Sequence, residues 1–146
     1  MSWPRWHCYG RHRTTSNQRY GCGCNVKRYS VIQTKRFRFV VTEAALHARI
    51  GPPAVQRGQL DRLLVLMNLD TVELAVIPLT ARLPFVMHHG FSIEDEDLVL
   101  VETFSAELQL RDPDDVALYA KIFDALWGVA EAGERAAELV RRMAAE

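Results

Sequence analysis

Hydrophobic and polar positions fall into short, recognisable periods from Phe37 onward. Phe37 to Val41 is aromatic and β-branched with Arg38 as the one charge, a pattern that predicts a strand. Thr42 ahead of Glu43-Ala-Ala-Leu has the form of an N-cap opening a short helix, which Gly51 ends. Pro52 and Pro53 break the chain. Pro53 also suits the first turn of a second helix, where its missing N–H costs nothing. That helix is predicted over 54–67, with Val55, Leu60, Leu63, Leu64 and Met67 on its apolar face. Asn68-Leu69-Asp70 supplies a turn. Over 71–77, Val72, Leu74 and Val76 alternate with Glu73 and Ala75, as in a half-buried strand ended by Pro78.

Residues 80–89 read as a loop, and Phe91 to Ile93 as a short strand. The acidic run Glu94-Asp95-Glu96-Asp97 reads as a solvated turn. Leu98 to Val101 is continuously apolar, as expected of a strand covered on both faces. Over 107–111, Glu107, Gln109 and Arg111 alternate with Leu108 and Leu110, which predicts a strand with one wet face. Asp112 is a good N-cap, Pro113 suits the first helical position, and Asp114 and Asp115 put negative charge at the positive helix end. The helix that follows carries Val116, Tyr119, Phe123, Leu126 and Trp127 on one stripe, read as core rather than a cofactor box. Residues 128–133 weaken it. A last helix over 134–145 offers Leu139, Val140 and Met143, and its late Arg141 and Arg142 favour the negative helix end. Grouped strands followed by helices place the chain in the α+β class: a mainly antiparallel sheet of about four or five strands with packed helices.

None of this periodicity exists before Phe37, and Leu is absent there. Charge divides at the same place. The formal net charge is zero, with 18 basic and 18 acidic residues. Half of the basic residues lie up to Arg38 and no acid precedes Glu43, so the rest of the chain carries a net charge of −9. The expected organisation is a basic, disordered or non-native leader over 1–36 and one domain over 37–146. A length of 146 residues and a hydrophobic share of 49% are enough for a single core. No apolar run approaches the roughly 18 residues of a membrane helix. The first residues also lack the apolar stretch of a secretory signal. A cytoplasmic chain without membrane contact is expected, with its cysteines kept as thiols.

Several motifs together carry a family resemblance. Phe39-Val-Val-Thr-Glu-Ala-Ala-Leu46 is followed by Gly51, by Val55 and by Gln59-Leu-Asp-Arg-Leu-Leu64. Val72-Glu-Leu-Ala-Val-Ile-Pro78, Gly90-Phe91, Val99-Leu-Val-Glu102, Asp112-Pro-Asp-Asp-Val116 and Phe123-Asp-Ala-Leu126 come after in that order. The series resembles the C-terminal domain of unknown function of actinobacterial Xre-type helix-turn-helix transcriptional regulators. Members carry a DNA-reading helix-turn-helix and a further helical stretch ahead of this domain; neither is visible in residues 1–36. The resemblance implies a sensory, dimerising or partner-binding role for residues 37–146, without DNA reading by this chain. It implies as partners a small protein or a sister regulator, a homo-oligomer, or an unidentified small-molecule effector. A truncated regulator is the first expectation.

Two alternatives stand beside it. Arg5, Arg11, Arg13, Arg19, Lys27 and Arg28, interleaved with aromatic residues, form a basic arm suited to phosphates and stacked bases. A nonfunctional gene remnant with an out-of-frame leader is the other. Adjacent His88 and His89, beside Gly90 and in a chain whose Glu102 ends an apolar strand, are candidate ligand-contact residues. Neighbouring histidines on an extended segment point to opposite sides, so they are poorly placed to chelate one ion. Cys8, Cys22 and Cys24, with His7 and His12, lack the paired spacing of a zinc knuckle, and neither a metal nor a cofactor is expected. Gly-x-Ser-x-Gly, Walker and His-Glu-x-x-His signatures are missing, so enzyme activity is not expected.

Overall fold

In a computed structural model, residues 8–13, 36–49 and 51–145 are described. They form β1 (Cys8–Arg13), β2 (Arg36–Thr42), α1 (Glu43–His47), α2 (Pro53–Met67), β3 (Val72–Ile77), β4 (Phe91–Glu94) and β5 (Leu98–Glu102). Then follow β6 (Glu107–Leu110), α3 (Pro113–Trp127), β7 (Glu131–Ala132) and α4 (Glu134–Ala144). The strands make one sheet in the order β6-β5-β4-β1-β2-β3-β7. Of its neighbouring pairs, β1–β4 and β2–β3 are parallel and the others antiparallel. The α+β class with a mainly antiparallel sheet is therefore observed. The sheet holds two strands that the sequence pattern does not announce, β1 and β7.

β1 lies between β2 and β4 and joins two groups of three strands. It falls within the segment expected to be a disordered leader. The rest of that expectation concerns residues 1–7 and 14–35, which lie outside the described residues.

Local signals explain most element ends. Thr42 Oγ1 accepts from Ala45 N–H at 3.1 Å, so α1 opens as an N-capped helix. It closes at His47 rather than running to Gly51, because Ala48 is already extended and leads into the Pro52-Pro53 break. Asp112 Oδ1 accepts from Asp114 N–H at 2.9 Å, and Pro113 starts α3. In the acidic turn, residues 95–97 link Glu94 to its partner Leu98; Asp95 (φ 52°) and Glu96 (φ 63°) are both left-handed, and Asp97 N–H donates to Glu94 C=O at 3.2 Å.

The sheet has a core on each side. On one face Val40, Ile77, Phe91, Ile93, Val99 and Val101 pack against Phe123 and Leu126 of α3. On the other, Val41, Leu74 and Val76 pack against Leu46 of α1, Leu60 of α2 and Ala136, Val140 and Met143 of α4. β3 is accordingly buried on both faces except at Glu73, where the alternation predicted one wet face. α3 supplies the second cover. β6 departs in the opposite sense: Leu108 is 48% exposed because the strand lies at the sheet's edge.

Candidate functional site

A cleft of about 480 Å³ opens where the C-terminal end of α2, the outer side of β3, the end of α3 and the start of α4 meet. β7 is only two residues long and pairs with Ala75 and Val76, so Val72 to Leu74 have no strand outside them among the described residues. Leu64 and Met67 of α2, Val72 and Leu74 of β3 and Ala137 of α4 give the cleft an apolar floor, and Trp127 of α3 gives it an aromatic wall. Its polar groups are Asn68, Glu73, Glu134 and Arg141. The volume lies within the range of small-molecule sites, and the lining is mixed, with apolar and polar surface in comparable shares.

Both rims carry paired charges. Glu134 Oε1 accepts from Arg141 Nη1 at 2.6 Å, along one face of α4 across two turns. That hydrogen bond, then the attraction of each group's opposite charge for the other, hold the Glu134 carboxyl below its ordinary value and the Arg141 guanidinium above its own. Across the cleft, Glu73 lies 3.2 Å from Arg38 Nε, its direct neighbour in the β2–β3 register. The Nε–H is not aimed at the carboxylate, so the attraction is one of charge and not a formed hydrogen bond. The Arg38 guanidinium lies 4.0 Å from the centre of the Trp127 ring and 5.4 Å from that of Phe123. This explains how a strand tolerates a charge at its middle.

A second polar node ties α4 to the long loop after β3. Glu43 is 6% exposed. Its Oε2 accepts from Leu79 N–H at 2.7 Å, and its Oε1 accepts from Arg142 Nη2 at 3.1 Å. His47 Nε2 lies 3.8 Å from Oε1, an ion pair only when the imidazole is protonated. The loop so anchored exposes Leu79, Leu83 and Val86.

The residues singled out from sequence are distributed differently. His88 is exposed and His89 half-buried, as opposite-facing neighbours should be. His89 Nδ1 lies 3.3 Å from Gly90 C=O, which can only accept, so Nε2 is left to accept from Tyr119 O–H at 3.4 Å. Tyr119 also packs edge-on against Phe91, and burial, then the charge of Asp115, push its phenol above the ordinary value. Glu102 ends β5; continuing the β4–β5 register places Gly90 level with it, so the three candidates share one end of that strand pair. This end is separate from the cleft, none of whose lining residues is among them. Arg11 and Arg13 lie on β1, and Arg5, Arg19, Lys27 and Arg28 lie outside the described residues. The side chains of the cysteine and histidine set at 7–24 also lie outside them. Among the described residues, no three His, Cys, Asp or Glu side chains gather as a metal site. No described helix is long and apolar enough to cross a membrane.

Comparison with protein families matches residues 25–142 to a domain of unknown function, DUF5753. The match begins ahead of the strand at Phe37, inside the segment expected to be a leader. No curated protein and no solved structure matches the chain. Since the matched span is most of the 146 residues, the chain belongs to the DUF5753 family.

Proposed function

We propose that this chain is the effector- or partner-binding domain of a cytoplasmic transcriptional regulator of the Xre type, without a DNA-reading module in residues 37–146, and that its effector occupies the α2–β3–α4 cleft. The observation that carries the reading is the cleft itself: an apolar floor, an aromatic wall and the polar groups Asn68, Glu73, Glu134 and Arg141 around about 480 Å³. Such a mixed lining suits a small amphipathic molecule, with an apolar part against Leu64, Met67 and Trp127 and polar groups toward Asn68, Glu73, Glu134 and Arg141. The resemblance of the motifs between Phe39 and Leu126 to the regulators' C-terminal domain supplies the regulatory part of the reading. The loop anchored by Glu43 offers exposed apolar side chains for a partner protein at a distance from the effector.

A thermal-shift screen of small molecules tests it. A bound effector raises the melting temperature of the native chain by mass action. Ala132→Phe places a ring in the cleft from an exposed position and is expected to abolish that rise. A compound that stabilises both proteins equally would remove the cleft from the account. A sequence-specific footprint at physiological salt, surviving competitor DNA, would remove the claim that the chain does not read DNA.

A further inference from the structure

Among the described residues β6 is an outer strand of the sheet, and its backbone is turned for a further strand. Thr103 N–H donates to Ala106 C=O at 2.8 Å and closes the β5–β6 hairpin. Backbone groups alternate along an antiparallel ladder, so Leu108 and Leu110 turn theirs to β5 while Glu107, Gln109 and Arg111 turn theirs to the open edge. Leu108 and Leu110 stand opposite Val101 and Val99, on the α3 face. Leu108 is 48% exposed, and Phe104 in the hairpin turn is fully exposed. An edge with outward backbone groups and exposed apolar side chains is a template for pairing.

The edge is complementary to itself. Antiparallel pairing of two copies about a two-fold axis through Gln109 sets Glu107 of each copy opposite Arg111 of the other, and Leu108 opposite Leu110. The outward-turned residues 107, 109 and 111 then all take hydrogen-bonded positions. Moving the axis to Leu108 or to Leu110 keeps the faces aligned but separates the opposite charges. Arg111 lies 4.0 Å from Asp97, and both side chains are largely exposed, so the guanidinium can exchange one carboxylate for another at little cost.

From this geometry we infer that the chain forms a two-fold dimer by pairing β6 with β6 of a second copy, with Glu107 of each facing Arg111 of the other. The inference is independent of the effector cleft, which lies at the far end of the sheet. The paired segment is short, well under the roughly 1,200 Å² of a standard interface, so the dimer is concentration-dependent with a dissociation constant on the order of 1–100 μM.

Sedimentation of the full chain at physiological salt tests it, from about 1 to 500 μM to bracket that range. A monomer–dimer equilibrium is expected. Glu107→Arg and Arg111→Glu each turn two attractions into repulsions and are expected to weaken it about tenfold or more. The combined Glu107→Arg, Arg111→Glu exchange restores opposite charges and is expected to return the constant to within about threefold of the native value. Both residues are exposed, and circular dichroism verifies that each variant is folded. A chain monomeric throughout the range, a dimer indifferent to either reversal, or a double exchange as weak as the single ones would each overturn the inference.

Discussion

Replacing Glu43 by alanine removes a buried carboxylate that serves both a backbone amide and a guanidinium. The side chain is buried, accepts from the Leu79 amide at 2.7 Å and meets Arg142 at 3.1 Å. The two bonds are unequal. A hydrogen bond from a partly buried amide to a charged acceptor contributes about 1.5–3 kcal/mol, and an amide left without a partner incurs its full desolvation cost. The Arg142 side chain is 63% exposed, so water replaces its carboxylate and the pair is worth about 0–1 kcal/mol. Glu43→Ala is therefore expected to destabilise by about 2–4 kcal/mol. Arg142→Met, which keeps the aliphatic stem, is expected to cost about 1 kcal/mol or less. Glu43→Gln retains an acceptor for Leu79 and should fall between them. Urea unfolding followed by circular dichroism gives the midpoints, with an unchanged slope as the control for two-state behaviour. Amide exchange at Leu79 should accelerate in Glu43→Ala and stay near native in Arg142→Met. Equal losses in the two variants, or an unchanged Leu79 amide in Glu43→Ala, would refute the assignment of the anchor to the Leu79 bond.

Three other expectations follow from the structure. Asp95 and Glu96 both sit at positive φ in the β4–β5 turn, so the exchange to Asn-Gly should stabilise by about 0.5–1 kcal/mol in thermal unfolding. Gly133 has φ 60° and a Cβ there meets nothing within 4 Å, so Gly133→Ala should cost about 1–2 kcal/mol through backbone strain alone, with an unchanged fold by NMR. The Glu134 carboxyl is held low by Arg141, so its contribution is present above the unfolded carboxyl range and is lost as pH falls through the folded value; carboxyl NMR titration should show Glu134 protonating below the other exposed glutamates, and Arg141→Gln should raise it.

Elements set by local chemistry were legible in the sequence. Thr42 and Asp112 make the caps expected of them, because a cap is a bond between residues two or three apart. Leu98 to Val101 are buried on both faces, as a continuous apolar run predicts. β7 was not legible, since two residues carry no period. Cys8–Arg13 likewise shows no alternation of apolar and polar residues, yet β1 pairs on both sides through backbone groups that any residue supplies. The burial of β3 depended on α3, nearly forty residues further along, and no local pattern reports that.

The site divides along the same line. His88 and His89 were legible as neighbours that cannot share a centre, and the structure turns one outward and the other to Tyr119. The cleft was not, because each lining residue already had a sufficient local explanation. Leu64 and Met67 belong to a helix stripe, Trp127 to another, and Arg141 favours a helix C-terminus. Their second role arises only when α2, α3 and α4 converge on the short gap that β7 leaves beside β3. Glu43 makes the same point at single-residue scale. In the sequence it opens a helix. In the fold the same carboxylate reaches an amide 36 residues away and a guanidinium 99 residues away, and a change there should register in the loop after β3 before it registers in α1.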